Sequence, residues 1–202
     1  MSLLVKVCGL CRPEDVEAAI RYGADALGFI FEPSSPRFCS SAADALAWTQ
    51  GATQLRVAVF GERHSEPDVT SFDRIQAFSG LLPADQPSAF AVIRLAETDT
   101  VETFLAQREL LDFRPQAILL DPYHASQAGG TGQTLDWGLA AECVSATDLP
   151  VILAGGLTPE NVAAAIRRVQ PAGVDASSRL ESEPGRKDHD KIRRFIENAK
   201  GA

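Results

Sequence analysis

The sequence predicts a (β/α)8 barrel with shortened third and fourth βα units, and three observations lead there. Short runs rich in Val, Ile, Leu and Phe alternate with longer amphipathic stretches along the whole chain, which is the pattern of parallel strands joined by crossover helices. The apolar runs number eight. The residues that close several of them are Cys, Asp, Gly and Ser, the positions where barrels and open α/β sheets carry chemistry.

The predicted strands are Leu3–Val7, Ala26–Phe31, Leu55–Phe60, Arg74–Ala77, Phe90–Leu95, Ala117–Leu120, Val151–Ala154 and Gly173–Asp175. Each is short and mostly apolar, as strands buried on both faces are. Pro13 to Tyr22 reads as a helix with Pro in its first turn and Gly23 as its stop. Pro159 to Val169 repeats the device, with Thr158 as N-cap and Glu160 in the first turn. Asp99 to Leu111, Trp137 to Ala146 and Asp188 to Ala199 supply three more helices with an apolar face. Glu66 to Ser71 and Pro83 to Ser88 hold Pro, Ser and Asp with little helical pattern, so the third and fourth crossovers are expected to be thin. A doubly wound open sheet is the rival fold, but no Gly-x-Gly-x-x-Gly follows the first strand, where a dinucleotide-binding sheet carries it.

With 202 residues the chain has room for one sizeable core, and a single domain over residues 1–202 is expected. Apolar content of 45% and charged content of 23% exclude disorder and fibrous repeats. A net charge of −8 argues against nucleic acid and anionic membrane as partners, because phosphate affinity comes from surplus Lys and Arg. No apolar run approaches a membrane span and the first ten residues lack a signal-peptide layout, so a cytoplasmic protein is expected. The four cysteines, at 8, 11, 39 and 143, have no disulfide-framework spacing and are expected to remain thiols.

Strand alternation sets Lys6 and Cys8 on one face of the first strand, and Leu119 and Asp121 on one face of the sixth. A thiol and a carboxyl then both point to the mouth of the barrel. A Cys ahead of a helix start and beside a Lys is expected to have its thiolate favoured, which suits a base or nucleophile; the plainer role is that of a small buried hydrophobe. Gly155-Gly156 before Thr-Pro-Glu, and Ser177-Ser178 after the eighth strand, offer backbone amides to an anion, in the loops that barrels use for phosphate. Ordinary turn chemistry is the competing account of the same residues. Gly129 to Gly132 suits a lid but lacks a P-loop ending. Cys8-Gly-Leu-Cys11 resembles a redox pair, yet the repeat around it is too long for a thioredoxin-like fold. Neither these cysteines nor His64, His124 and His189 show metal-ligand spacing.

At these residues the chain resembles the phosphoribosylanthranilate isomerase family of (β/α)8 enzymes. The likeness runs in order through Lys6-Val-Cys-Gly-Leu, Asp25-Ala-Leu-Gly-Phe-Ile-Phe, Ser35-Pro-Arg37, Leu120-Asp121, Gly129-Gly-Thr-Gly132, Asp136-Trp137, Leu153-Ala-Gly-Gly-Leu157, Pro159-Glu-Asn161, Val174-Asp-Ala-Ser-Ser178 and Pro184-Gly-Arg-Lys-Asp188. It implies an Amadori rearrangement of N-(5-phosphoribosyl)anthranilate in tryptophan biosynthesis, with Asp121 as general acid and Cys8 as general base. It further implies that Arg37 holds the anthranilate carboxylate, that Gly155, Gly156, Ser177 and Ser178 hold the phosphate, and that Asp175 meets a sugar hydroxyl. No metal or organic cofactor is implied, the partner is the phosphorylated substrate, and the chain is expected to be a monomer or a homodimer. The sequence departs from the family at Phe78, where a pocket His is usual, at Cys11 for Thr, at Gln133 for Lys and at Arg179-Leu180 for Gly-Val. Two other functions compete: a histidine-pathway aminoaldose isomerase, against which Cys8 counts, and a non-catalytic or divergent phosphosugar-binding barrel, which the altered end of strand four would suit.

Overall fold

The computed structural model describes residues 2–61, 68–78, 88–111, 113–123 and 135–202. Eight parallel strands close in chain order: β1 (Leu4–Val7), β2 (Ala26–Ile30), β3 (Leu55–Val59), β4 (Arg74–Phe78), β5 (Phe90–Leu95), β6 (Ala117–Pro122), β7 (Val151–Leu153) and β8 (Gly173–Ala176). β8 returns to β1, with Leu4 opposite Gly173 and Lys6 opposite Asp175. Closure leaves the barrel without an edge strand, so its backbone polar groups are paired around the ring.

Alternation along the strands separates two apolar clusters. Val5, Val7, Leu27, Phe29, Ile118 and Leu120 face outward and pack under the helices. Ala26, Val57, Phe90, Val92, Leu119 and Ile152 fill the barrel interior together with Cys8. The outer layer comprises α1 (Pro13–Tyr22), α2 (Ala42–Trp48), α3 (Val101–Glu109), α4 (Trp137–Ser145), α5 (Val162–Val169) and α6 (His189–Lys200). α6 buries Ile192, Phe195, Ile196 and Ala199, the i, i+3, i+4, i+7 stripe of a core-facing helix, and Asp188 caps it by accepting from the amides of Asp190 and Lys191. α1 has Pro at its start and ends on Gly23 with φ 88°.

Four features differ from the sequence reading. α2 lies outside the predicted helices, because seven residues give too short a window for periodicity; its sequence signal is Ser41 three positions before Asp44, and the Ser41 side chain accepts from the Asp44 amide at 3.0 Å. α5 begins at Val162 rather than Pro159, since Thr158 caps the turn through Glu160 and Asn161 that precedes it. β6 runs two residues past Leu120 and carries Asp121 within the strand. After β8 comes a 3-10 turn (Ser178–Leu180), then an antiparallel hairpin of β9 (Glu181–Glu183) and β10 (Arg186–Lys187), whose two short, polar arms show no apolar alternation. Among the described residues no helix lies between β3 and β4 or between β4 and β5, in keeping with thin crossovers there. Of the expected thin segments, Glu66 to Ser71 is described from Asp68 onward and carries no helix there, whereas Pro83 to Ser88 short of Ser88 itself, and the whole of Gly129 to Gly132, lie outside the described residues.

Candidate active site at the C-terminal mouth

The pleat of β1 turns Lys6 and Cys8 inward. Lys6 is fully buried, and its Nζ donates to Oδ1 of Asp175 on β8 at 2.9 Å. The room for both side chains comes from β2, where a Cβ on Gly28 would stand 2.8 Å from Cys8 Sγ and 3.0 Å from Lys6 Nζ. A side chain at that position would displace the thiol, so the glycine is needed for close approach rather than for backbone freedom.

Burial works against a charge on Lys6, but Asp175 and Cys8 outweigh it and raise its pKa, so the ammonium is secure. Burial pushes the Cys8 thiol above its ordinary value, with Lys6 opposing and Asp175 adding to the rise. The expectation that Lys6 and a nearby helix start favour the thiolate is therefore corrected: burial favours the thiol. α1 starts only at Pro13, too far along the chain for its N-terminus to act within its first turn, and full burial of a thiol outweighs one ammonium.

Asp121 lies near the end of β6, beside Arg94 of β5 in the strand register. Burial raises its carboxyl to about 6, against the pull of Arg94, with Asp175 adding to the rise and Lys6 opposing it. Arg94 sits with its guanidinium carbon 3.9 Å from the centre of the Phe78 ring, a cation–π contact on the wall opposite β1. The departure at position 78 thus has a definite role: the ring is a platform for an arginine next to Asp121.

The loops after β7 and β8 complete the mouth. Gly155 and Gly156 take φ of 83° and 64°, and a Cβ on Gly155 would lie 2.1 Å from Cδ of Pro122, the residue after Asp121. Asn161 braces this loop, donating from Nδ2 to the Gly156 carbonyl at 3.1 Å and accepting from the Thr158 amide at 2.7 Å. Ser177 Oγ is buried and has no hydrogen-bond partner among the described residues. An unmet hydroxyl in a polar mouth is an available ligand contact, because leaving it unmet costs about 1–3 kcal/mol.

Arg37, in the loop after β2, is held by Glu181 of β9, with Nε to Oε1 at 2.7 Å and Nη2 to Oε2 at 2.8 Å. Lys187 of β10 reaches the same Oε1 at 2.9 Å and the Ser177 carbonyl at 3.1 Å. The structure therefore brings Cys8, Asp175, Ser177 and Arg37 into one connected neighbourhood; Asp121 on β6 is within electrostatic reach of Asp175 and Lys6, and Gly155 after β7 packs on Pro122 beside it. Cys11 goes elsewhere: its thiol donates to the Gly185 carbonyl at 3.1 Å on the hairpin, so the two cysteines of the Cys-x-x-Cys have separate surroundings. The sequence reading assigned no role to Glu181 or to Lys187, which pair with each other. Their only sequence signal is two opposite charges flanking a Pro-Gly turn.

Fold and mouth together define the class: a parallel (β/α)8 barrel whose ionisable groups gather at the C-terminal ends of its strands, as in barrel enzymes. A family model described as N-(5'-phosphoribosyl)anthranilate (PRA) isomerase matches residues 5–198. The N-(5'-phosphoribosyl)anthranilate isomerase of Trichlorobacter lovleyi is 39% identical over 98% of each chain. The crystal structure of phosphoribosyl anthranilate isomerase from Thermotoga maritima superposes with a TM-score of 0.82 at 33% identity, covering 100% of both chains. Another solved structure, of such an isomerase in complex with reduced 1-(o-carboxyphenylamino)-1-deoxyribulose 5-phosphate, gives a TM-score of 0.76 at 31% identity over 100% of both chains. The chain belongs to the phosphoribosylanthranilate isomerase family.

Proposed function

We propose that this protein isomerises N-(5-phosphoribosyl)anthranilate to 1-(2-carboxyphenylamino)-1-deoxyribulose 5-phosphate, a cytoplasmic step of tryptophan biosynthesis. Family membership supports the reaction, and one observation carries the residue roles: Cys8 and Asp121 both sit on the interior face at the C-terminal end of the barrel, three strands apart around the ring. Asp121 in its acid form protonates the furanose ring oxygen and opens the ring to a Schiff base. Cys8 as thiolate removes the C2 proton, and the resulting enolamine tautomerises to the ketone. C1 is reduced as C2 is oxidised within one molecule, so the balance requires no external redox partner.

The ionisation states shape the rate. With the carboxyl near 6 and the thiol above its ordinary value, the neutral-pH proton rests mainly on Cys8, whereas turnover uses the form with that proton on Asp121. Lys6 lowers the cost of this minor form because its ammonium stands beside the thiolate. Asp175 keeps one carboxylate oxygen for a sugar hydroxyl while Lys6 occupies the other. The Gly155-Gly156 and Ser177-Ser178 loops receive the phosphate, with Ser177 Oγ as a ready donor.

Arg37 receives the anthranilate carboxylate. Glu181 takes the side-on edge of the guanidinium and leaves the end-on edge, Nη1 with the second Nη2 hydrogen, for a second fork. The test is growth of a tryptophan auxotroph lacking this isomerase, together with the loss of substrate fluorescence in vitro. Rescue and turnover are expected; a purified, folded protein that does neither refutes the reading and leaves a phosphosugar-binding barrel.

A further inference from the structure

Arg37 belongs to a buried ionic cluster that the reaction as written uses only in part. Arg37, Glu181 and Lys187 are joined by hydrogen bonds of 2.7, 2.8 and 2.9 Å, with side chains 12%, 4% and 0% exposed. Two basic side chains share one carboxylate, and burial, aided by Arg37, pulls the Lys187 pKa below its ordinary value against the attraction of Glu181. A buried ionic group of this kind is costly unless something compensates it, and an anionic ligand at the mouth does so.

The hairpin explains why the three groups meet. Register sets Lys187 opposite Glu181, and Lys191 of α6 donates to the Glu181 carbonyl at 2.8 Å. The Lys187 amide donates to Oδ2 of buried Asp15 at 3.1 Å, and His189 Nε2 meets Oδ1 of the same residue at 2.8 Å. The hairpin is thereby fastened to α1 and α6. Its other contacts point to the mouth. Lys187 Nζ reaches the Ser177 carbonyl, and both Arg37 Cδ and Ser177 Oγ press against Gly9, the residue after Cys8, at 2.7 Å from where a Cβ would stand.

We infer that Glu181 and Lys187 are positioning residues: Glu181 grips Arg37 side-on so that its end-on edge is fixed for the substrate carboxylate, and Lys187 ties that grip to the Ser177 loop. The inference rests on the reading of Arg37 as the carboxylate anchor. It makes capture of the carboxylate depend on a hairpin outside the barrel, and links the two anionic ends of one substrate through a chain of four hydrogen bonds.

The test compares binding of the reduced product analogue with that of its counterpart lacking the ring carboxylate, in wild type, Glu181→Gln, Glu181→Ala, Arg37→Ala and the Arg37→Ala/Glu181→Ala double variant. Expected in Glu181→Ala is a loss of about ten- to a hundredfold for the carboxylate-bearing analogue, the scale of one charge-assisted contact, and less than about threefold for the other. Glu181→Gln, which keeps one acceptor, falls between. In the Arg37→Ala background the Glu181 substitution adds less than about threefold, because its route is already cut. KM rises with kcat within about threefold of wild type. Equal weakening of both analogues, or losses that multiply in the double variant, overturns the inference while wild-type turnover leaves the function standing. Wild type that neither turns over nor distinguishes the two analogues overturns both. Glu181→Gln keeps the test valid where Glu181→Ala unfolds.

Discussion

The two sides of the barrel mouth are built differently. On the side of β1, β2, β6, β7 and β8 the mouth is ionic and tightly fitted: Lys6 is locked to Asp175, Gly28 and Gly155 are in contacts that no Cβ could share, and the hairpin braces Arg37. On the side of β4 and β5 it is an aromatic ring under a guanidinium, Phe78 beneath Arg94, and the crossovers into and out of β4 carry no helix among the described residues. Chemistry that needs fixed protons sits where the packing is least forgiving. Adaptation in substrate fit has room where one flat contact does the positioning.

Substitutions at the ionic side should therefore abolish turnover, and those at the aromatic side should only tune it. Cys8→Ala and Asp121→Asn should each lower kcat by about 10²–10⁴-fold, the usual share of a general acid or base, with circular dichroism unchanged. Turnover within tenfold of wild type in either would dismiss the pair. Asp121→Asn should also raise the thermal midpoint at pH 8. Its folded pKa of about 6 lies above the ordinary 3.8, so the native carboxyl stabilises the fold only below its unfolded pKa and loses that contribution as pH rises through 6. The gain should accordingly be small at pH 4 and full by pH 7; a gain independent of pH would refute burial as its cause.

Lys6→Met should cost about 3–5 kcal/mol in denaturant unfolding, because it strands a buried carboxylate at Asp175. The pH profile of kcat/KM should rise through about 6 and stay level until the raised Cys8 thiol titrates. The limb near 6 should vanish in Asp121→Asn measured with excess enzyme. The smallest effect belongs to Phe78→Ala, where loss of the platform under Arg94 should cost about 0.5–2 kcal/mol, seen as a rise in KM. An effect as large as that of Cys8→Ala would erase the contrast between the two sides.

Strand count, inward placement of Lys6, Cys8 and Asp121, and the glycine-rich turn after β7 were legible because each follows from period-two alternation or from local turn chemistry. The second helix escaped for want of length, and the start of α5 because Thr158 caps a turn before the helix proper. The protonation of Cys8 was misjudged for a different reason. Proximity to Lys6 is visible in the sequence, but burial, which dominates the shift, is a property of the closed barrel.

The sequence by itself determined the repeating βα pattern, the closing residues of each strand and the family likeness, since these depend on neighbours a few positions apart. Only the tertiary structure decided that Asp175 would hold Lys6, that Phe78 would carry Arg94, and that Glu181 would grip Arg37 across 144 positions. Ion pairs form where folding brings charges together in a place without water, and no short-range pattern records that meeting.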